Sequence, residues 1–177
     1  MTHRFSAALL AMVMMTVPAV GAPPSKPAPA CPANPVLPPE LADWGRTVTG
    51  ETFYAYGAPR EAGFPTLGAA RTELPLHKFE SLRYWIAPER KPDPFKYGGL
   101  VPIEVKKAGR LVVALDAGAW IDLVRDAKFV ASAKHGHGPA CSGIRKMVEF
   151  DVTSGRYVLQ ISSAPAASIR AMALLRD

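Results

Sequence analysis

Between residues 100 and 175 the chain repeats one short pattern: apolar side chains at every second position, then a glycine, aspartate or proline. Side chains on an extended chain alternate between two faces, so this period marks half-buried strands, not helices. Val101, Ile103 and Val105 alternate with Pro102, Glu104 and Lys106; Ala108-Gly109 turns the chain into Leu111, Val113 and Leu115. Asp116-Ala117-Gly118 precedes a third strand at 119–124, and a fourth covers 128–133. After a loop at 134–141, Ile144, Val148, Phe150 and Val152 share one face, and Arg145, Met147, Glu149 and Asp151 the other. Thr153-Ser154-Gly155 turns into Tyr157, Leu159 and Ile161, and residues 169–175 make a closing strand. Short strands at regular spacing with turn signals between them specify an antiparallel β-sandwich, of jelly-roll type, or a barrel.

The pattern contains an echo. Val101-Pro-Ile-Glu-Val105 followed by Gly109-Arg-Leu-Val-Val-Ala-Leu115 matches Val148-Glu-Phe-Asp-Val152 followed by Gly155-Arg-Tyr-Val-Leu-Gln-Ile161, with a turn one residue shorter. The expectation is two similar hairpins folded face to face. Upstream the signals thin. Phe53, Tyr54 and Tyr56 suggest one short strand, and Leu74 and Leu76 flank Pro75, which confines that segment to a sheet edge. Leu82, Tyr84 and Ile86 alternate with Arg83 and Trp85 and read as a strand before a charged, proline-broken loop at 88–94.

The N-terminus divides into two parts. Residues 1–21 have the form of an export signal: Arg4 in a short positive start, an apolar run at 7–17, and small residues Ala19 and Gly21 before a cleavage point after Gly21 or Ala22. The apolar run is shorter than the roughly 20 residues a membrane span needs, so no transmembrane segment is expected once it is removed. Residues 22–46 are an extended proline-rich arm, with prolines at 23, 24, 27, 29, 32, 35, 38 and 39. The sandwich domain occupies 47–177. If the arm is pinned to the domain, Leu37, Leu41 and Trp44 are placed to lie down as a clasp. The expected location is the periplasm or outside the cell, with an envelope ligand or protein as partner.

An exported chain with two cysteines, Cys31 and Cys141, points to a disulfide between them. It would close a loop of about 110 residues, worth on the order of 4–5 kcal/mol in the chain-entropy model. The rival reading keeps Cys141 as a free thiol or metal ligand. The formal charge of +6 is scattered, with no basic run interleaved with aromatics, so nucleic-acid binding has no support.

The segment Lys134-His135-Gly136-His137-Gly138-Pro139-Ala140-Cys141 carries the sharpest chemistry. An H-x-H pair in extended chain sets both imidazoles on one side. With His77 or Cys141 as a third ligand, His135 and His137 would suit copper or zinc, the only cofactors the chain suggests. The competing reading is an exposed polar loop. The same neighbourhood offers an anion site through Lys134, Arg145, Lys146 and the two histidines. Trp120 is either a sugar-stacking platform or a core tryptophan. Asp116, Asp122 and Asp126 do not follow a calcium-loop spacing and read as turn aspartates. Ser142 lies in no nucleophile elbow, and no catalytic set converges.

The segments Ala108-Gly-Arg-Leu-Val-Val-Ala-Leu115, Trp120-Ile-Asp-Leu-Val124 and Ser154-Gly-Arg-Tyr-Val-Leu-Gln-Ile-Ser162 together resemble the bacterial pre-peptidase C-terminal β-sandwich, over roughly residues 100–175. That resemblance implies an exported accessory or binding module without catalytic residues. The whole chain, with its cysteine after the leader and the His135-Gly-His-Gly-Pro-Ala-Cys-Ser-Gly-Ile-Arg-Lys146 segment, also resembles short exported bacterial proteins, some called homogentisate 1,2-dioxygenase. That activity implies an iron held by His and Glu, and no His/Glu set at cupin-like spacing stands out. The expectation is a non-catalytic envelope module, with metal binding as the first alternative and an enzyme as the second.

Overall fold

A computed structural model describes residues 30–32, 35–46, 55–57 and 66–176. The expected export signal, the prolines before residue 30 and the candidate strand at Phe53 and Tyr54 lie outside these residues.

The described chain is an antiparallel β-sandwich. Ten strands run in the order β1 (Thr72–Pro75), β2 (His77–Lys78), β3 (Tyr97–Val105), β4 (Gly109–Leu115), β5 (Trp120–Arg125), β6 (Lys128–Val130), β7 (Ser132–Gly136), β8 (Lys146–Val152), β9 (Gly155–Ala164) and β10 (Ser168–Arg176). One sheet has the order β1-β10-β4-β8-β7, the other β2-β3-β9-β5-β6. Without the short β2 and β7, these are the two four-stranded sheets of a jelly roll, β1-β10-β4-β8 against β3-β9-β5-β6. The inward residues of the alternating runs, among them Val101, Ile103, Leu111, Val113, Leu123, Phe150, Leu159 and Ile161, form the core between the sheets. Pro75 ends β1 at a sheet edge, where its missing N–H costs no ladder bond.

The echoing segments are not hairpins. β3 and β4 belong to different sheets, and so do β8 and β9. Each Gly-Arg turn is an arch that carries the chain across the core. The two arches pair with each other: Val105 faces Gly155 while Gly109 faces Val152, and Ile103 faces Tyr157 while Leu111 faces Phe150. The repeat extends to the whole sandwich. Advancing every strand by five positions turns β1–β10 into β6–β5, β2–β3 into β7–β8, β3–β9 into β8–β4, and β4–β10 into β9–β5, each an observed ladder. β1 to β5 and β6 to β10 are thus related by a topological two-fold.

Three further expectations are corrected. Residues 128–133 are not one strand: β6 closes a hairpin with β5 through the left-handed pair Asp126 (φ 50°) and Ala127 (φ 54°), and after Ala131 the chain crosses to the other sheet as β7. Residues 82–86 form no strand despite their alternation. They lie against the outer face of the second sheet, where the buried Gln160 side chain takes the place of a ladder, accepting from the Trp85 and Ile86 N–H groups (2.8 and 3.3 Å) and donating to the Ile86 carbonyl (3.1 Å). Ile144 does not join the core face of β8; it packs outside the first sheet with Leu41, Trp44, Val112, Ala114 and Met172.

That second apolar cluster is where the arm docks. Cys31 and Cys141 form a disulfide, with Cα atoms 5.4 Å apart. Downstream of Cys31 a 3-10 turn, Pro39–Gly45, lays Leu41 and Trp44 onto the outer face of β4 and β10, with Leu37 packed beside them. The expected clasp is formed. The arch at β8–β9 is held differently: the Tyr157 hydroxyl accepts from the Thr153 N–H (3.1 Å) and donates to its carbonyl (3.0 Å), closing a tyrosine corner.

Candidate anion cleft

The outer covering segment and the end of β7 with the start of β8 meet in a surface cleft of about 540 Å³. Its floor is Trp120, at the start of β5, with Ala119 and Ser163. Ser163 comes to the floor because β9 bulges: two residues, Ser162 and Ser163, stand where β3 offers Gly98 alone, and Ser163 takes φ 55°. Its hydroxyl accepts the Asp93 N–H at 2.9 Å and ties down one wall. The Glu89 N–H donates to Asp122 Oδ2 at 3.3 Å and ties the same wall further back. This wall contributes Arg90, Lys91 and Lys96. The opposite wall is the end of β7 and the start of β8, with His135, His137, Arg145 and Lys146. Five cationic side chains therefore surround the cleft, against one carboxylate, Asp93, which is paired with Lys96 at 3.6 Å.

Trp120 organises the cations. Its indole N–H donates to Asp122 Oδ1 at 2.7 Å, while Lys146 Nζ and the Arg90 guanidinium lie 5.1 and 5.7 Å from the ring centroid, within cation–π range. Lys146 also donates to the Ala119 carbonyl at 2.8 Å. Burial lowers the Lys146 pKa below the ordinary lysine value; Asp122 opposes that shift and Arg90 adds to it. Burial raises the Asp122 pKa above the ordinary carboxylate value, against the hydrogen bonds from Trp120 and Glu89. Tyr84, in the covering segment, is pushed up to about 12, first by burial and then by Asp122, and its hydroxyl donates to the Ile161 carbonyl at 3.1 Å.

The residues singled out by sequence divide between several places. Trp120, Arg145, Lys146, His135 and His137 come together in the cleft. Arg145 and Lys146 share it although alternation opposes them on a strand, because Arg145 precedes β8. Lys134 lines a neighbouring groove beside the arm, with Glu40, Glu149 and Arg176, which meets the cleft at His135, Gly136 and His137. His135 belongs to strand β7, not to a loop, and His137 follows it with Nδ1 2.7 Å from the Arg145 carbonyl. His77 lies in β2, at the sandwich edge opposite β7, with Nε2 2.9 Å from the Ala55 carbonyl. Cys141 is spent in the disulfide. The three aspartates disperse: Asp116 accepts the Arg170 N–H, Asp126 sits in the β5–β6 turn, and Asp122 lies under Trp120. Among the described residues no group of three or more His, Cys, Asp or Glu is arranged to hold a metal ion. No helix among them is long and apolar enough to cross a membrane.

Sequence reasoning missed Arg90 and Lys91, in the segment read as a charged, proline-broken loop at 88–94, and Lys96 just beyond it. The available signal was the density of charge between prolines at 88 and 94 beside Trp85, a segment too polar to bury and too proline-rich to pair.

Fold and cleft together define a disulfide-tied jelly-roll sandwich with a cationic, tryptophan-floored surface site. No protein-family model matches the chain, and neither a curated protein nor a solved structure matches it.

Proposed function

We propose that the protein is an exported, non-catalytic binding or accessory module of the periplasm or cell envelope, and that its ligand carries a carboxylate or phosphate group held in the Trp120 cleft. One observation carries this reading: Arg90, Lys91, Lys96, Arg145 and Lys146 converge on a single concavity with Asp93 as the one carboxylate among its lining residues. Clustered cations in a concave site raise the local concentration of anions and steer them inward. Arginines offer a planar fork to carboxylate and phosphate oxygens, and Lys146 adds a point charge. The disulfide supports export, because such bonds persist in oxidising compartments. Calorimetric titration with inorganic phosphate and glucuronate tests the site. Binding that weakens with salt and is lost in Arg145→Gln/Lys146→Gln is the expected result; absence of binding, or binding the double variant retains, overturns it.

A second reading, a copper or zinc site on His135 and His137, draws on one feature. If the His137 Nδ1–H donates to the Arg145 carbonyl, Nε2 is left with a free lone pair, as in many metal-bound histidines. The surrounding cations oppose a metal cation. Metal content of the purified protein, compared with His135→Ala/His137→Ala, decides it: equal content in both sinks the metal site.

A further inference from the structure

The cationic cleft does not end at Trp120. β6 pairs only with Leu123, Val124 and Arg125, so the β5 edge from Trp120 to Asp122 has no neighbour on that side among the described strands. There the two sheets part, and a second cavity of about 210 Å³ enters between them. Its inner wall comes from both sheets, with Ile121 and Leu123 facing Val148 and Phe150, and Phe129 and Val130 of β6 form its side. Three residues border both spaces: Trp120, His135 and Lys146.

We infer that the ligand is amphipathic, with an anionic head in the cleft between Lys146 and Arg145 and a compact apolar body inserted between the sheets past Trp120. This inference rests on the anion-binding reading and narrows it. A cavity of about 150 Å³ already takes a benzene ring, so by volume this one, apolar on its inner wall and polar at Glu89, Asp122, Ser132, His135 and Lys146, accommodates roughly six to eight carbons, as a short chain or a ring. The polar groups at its rim set the orientation. Asp122 already accepts the Trp120 and Glu89 N–H groups, and Glu89 and Asp122 are the carboxylates of the lining, so an anionic head is favoured at Lys146. Desolvation beside the cavity makes the Lys146 charge costly when the site is empty, which an arriving anion relieves. A purely polar sugar acid would leave the apolar inner wall, Ile121, Leu123, Val148 and Phe150, uncovered.

Ligand-detected NMR titrations of the full chain with hexanoate, benzoate, acetate and inorganic phosphate test this. Hexanoate or benzoate should bind at least tenfold tighter than acetate, the two arms separating a chain from a ring. In Val130→Phe, which fills the cavity, that preference should collapse. Ser132→Phe at the exposed mouth is the second variant, because it leaves core packing untouched. Phosphate binding without any preference for hexanoate or benzoate over acetate overturns the amphipathic ligand and leaves the anion site standing. No binding by any of the four overturns both. A preference that survives both fillings also overturns the cavity's role.

Discussion

The Trp44 indole N–H donates to the Ser142 carbonyl at 2.9 Å, bridging 98 residues of sequence inside a buried contact. The disulfide lies one residue away, at Cys141, so arm and sandwich are joined twice at one spot, covalently and through the clasp. Trp44→Phe should keep most of the buried area but leave the carbonyl unpaired, costing about 1 kcal/mol. Trp44→Ala should cost about 3–5 kcal/mol. Reduction of the disulfide should cost as much as about 4–5 kcal/mol. Urea unfolding of the three forms measures this; a Trp44→Ala protein as stable as the wild type would show that the arm does not clasp the sheet in solution.

Gln160 replaces a strand ladder for residues 85 and 86. Gln160→Leu has similar volume and removes three hydrogen bonds, leaving two N–H groups and a carbonyl unmet. A loss of about 1–3 kcal/mol is expected. Because Arg90 and Lys91 ride on the same segment, phosphate affinity should fall severalfold although Gln160 does not line the cleft. Calorimetry beside denaturant unfolding separates the two effects.

Tyr157→Phe tests the arch between β8 and β9. The hydroxyl's two bonds to Thr153 and the one donated by Arg125 at 3.0 Å would be lost. Thr153 is exposed, so water partly replaces them, and a loss of about 1 kcal/mol is expected in urea.

Two pH effects follow from the groups around Trp120. Lys146 is charged below its pKa, which burial has lowered, so anion affinity should fall on the alkaline side before an ordinary lysine would lose its proton. Lys146→Arg should move that decline to higher pH. For stability the signs differ. Between the lowered Lys146 value and the ordinary lysine value the unfolded chain binds more protons, so stability rises with pH there. Asp122 has a raised value, so between the ordinary carboxylate value and its own the folded protein binds more protons, and stability falls as pH rises through that window. Asp122→Asn should flatten the acidic-side slope in melting-temperature measurements across pH.

Strands β3, β4, β5, β8 and β9 were legible because alternation is a local property and each has a face in the core; β7, exposed along its whole length, carried no such signal and was read partly as loop. The partners of the legible strands were not. A turn such as Lys106–Gly109 has the same composition whether it reaches the next strand at about 4.8 Å or the opposite sheet at about 10 Å, so an arch reads as a hairpin. Alternation also misled at 82–86, where the apolar residues lie on a sheet's outer surface and a side chain supplies the missing ladder. The cleft was half legible. His135, His137, Arg145 and Lys146 are neighbours in sequence, and Trp120 stood out by type. Arg90, Lys91 and Lys96 arrive through Asp93–Ser163 and Glu89–Asp122, contacts 70 and 33 residues long that no periodicity records.

The five-strand repeat bears on how the chain reaches this state. Among the described ladders only β2–β3 and β7–β8 lie within one half; every other ladder joins strands from opposite halves. A ribosome making this chain finishes β1 through β5 before their principal partners exist. Closing such distant pairs comes late and slowly. Until the second half arrives the first half lacks every ladder but β2–β3 among those described, so the expectation is that the two halves fold together.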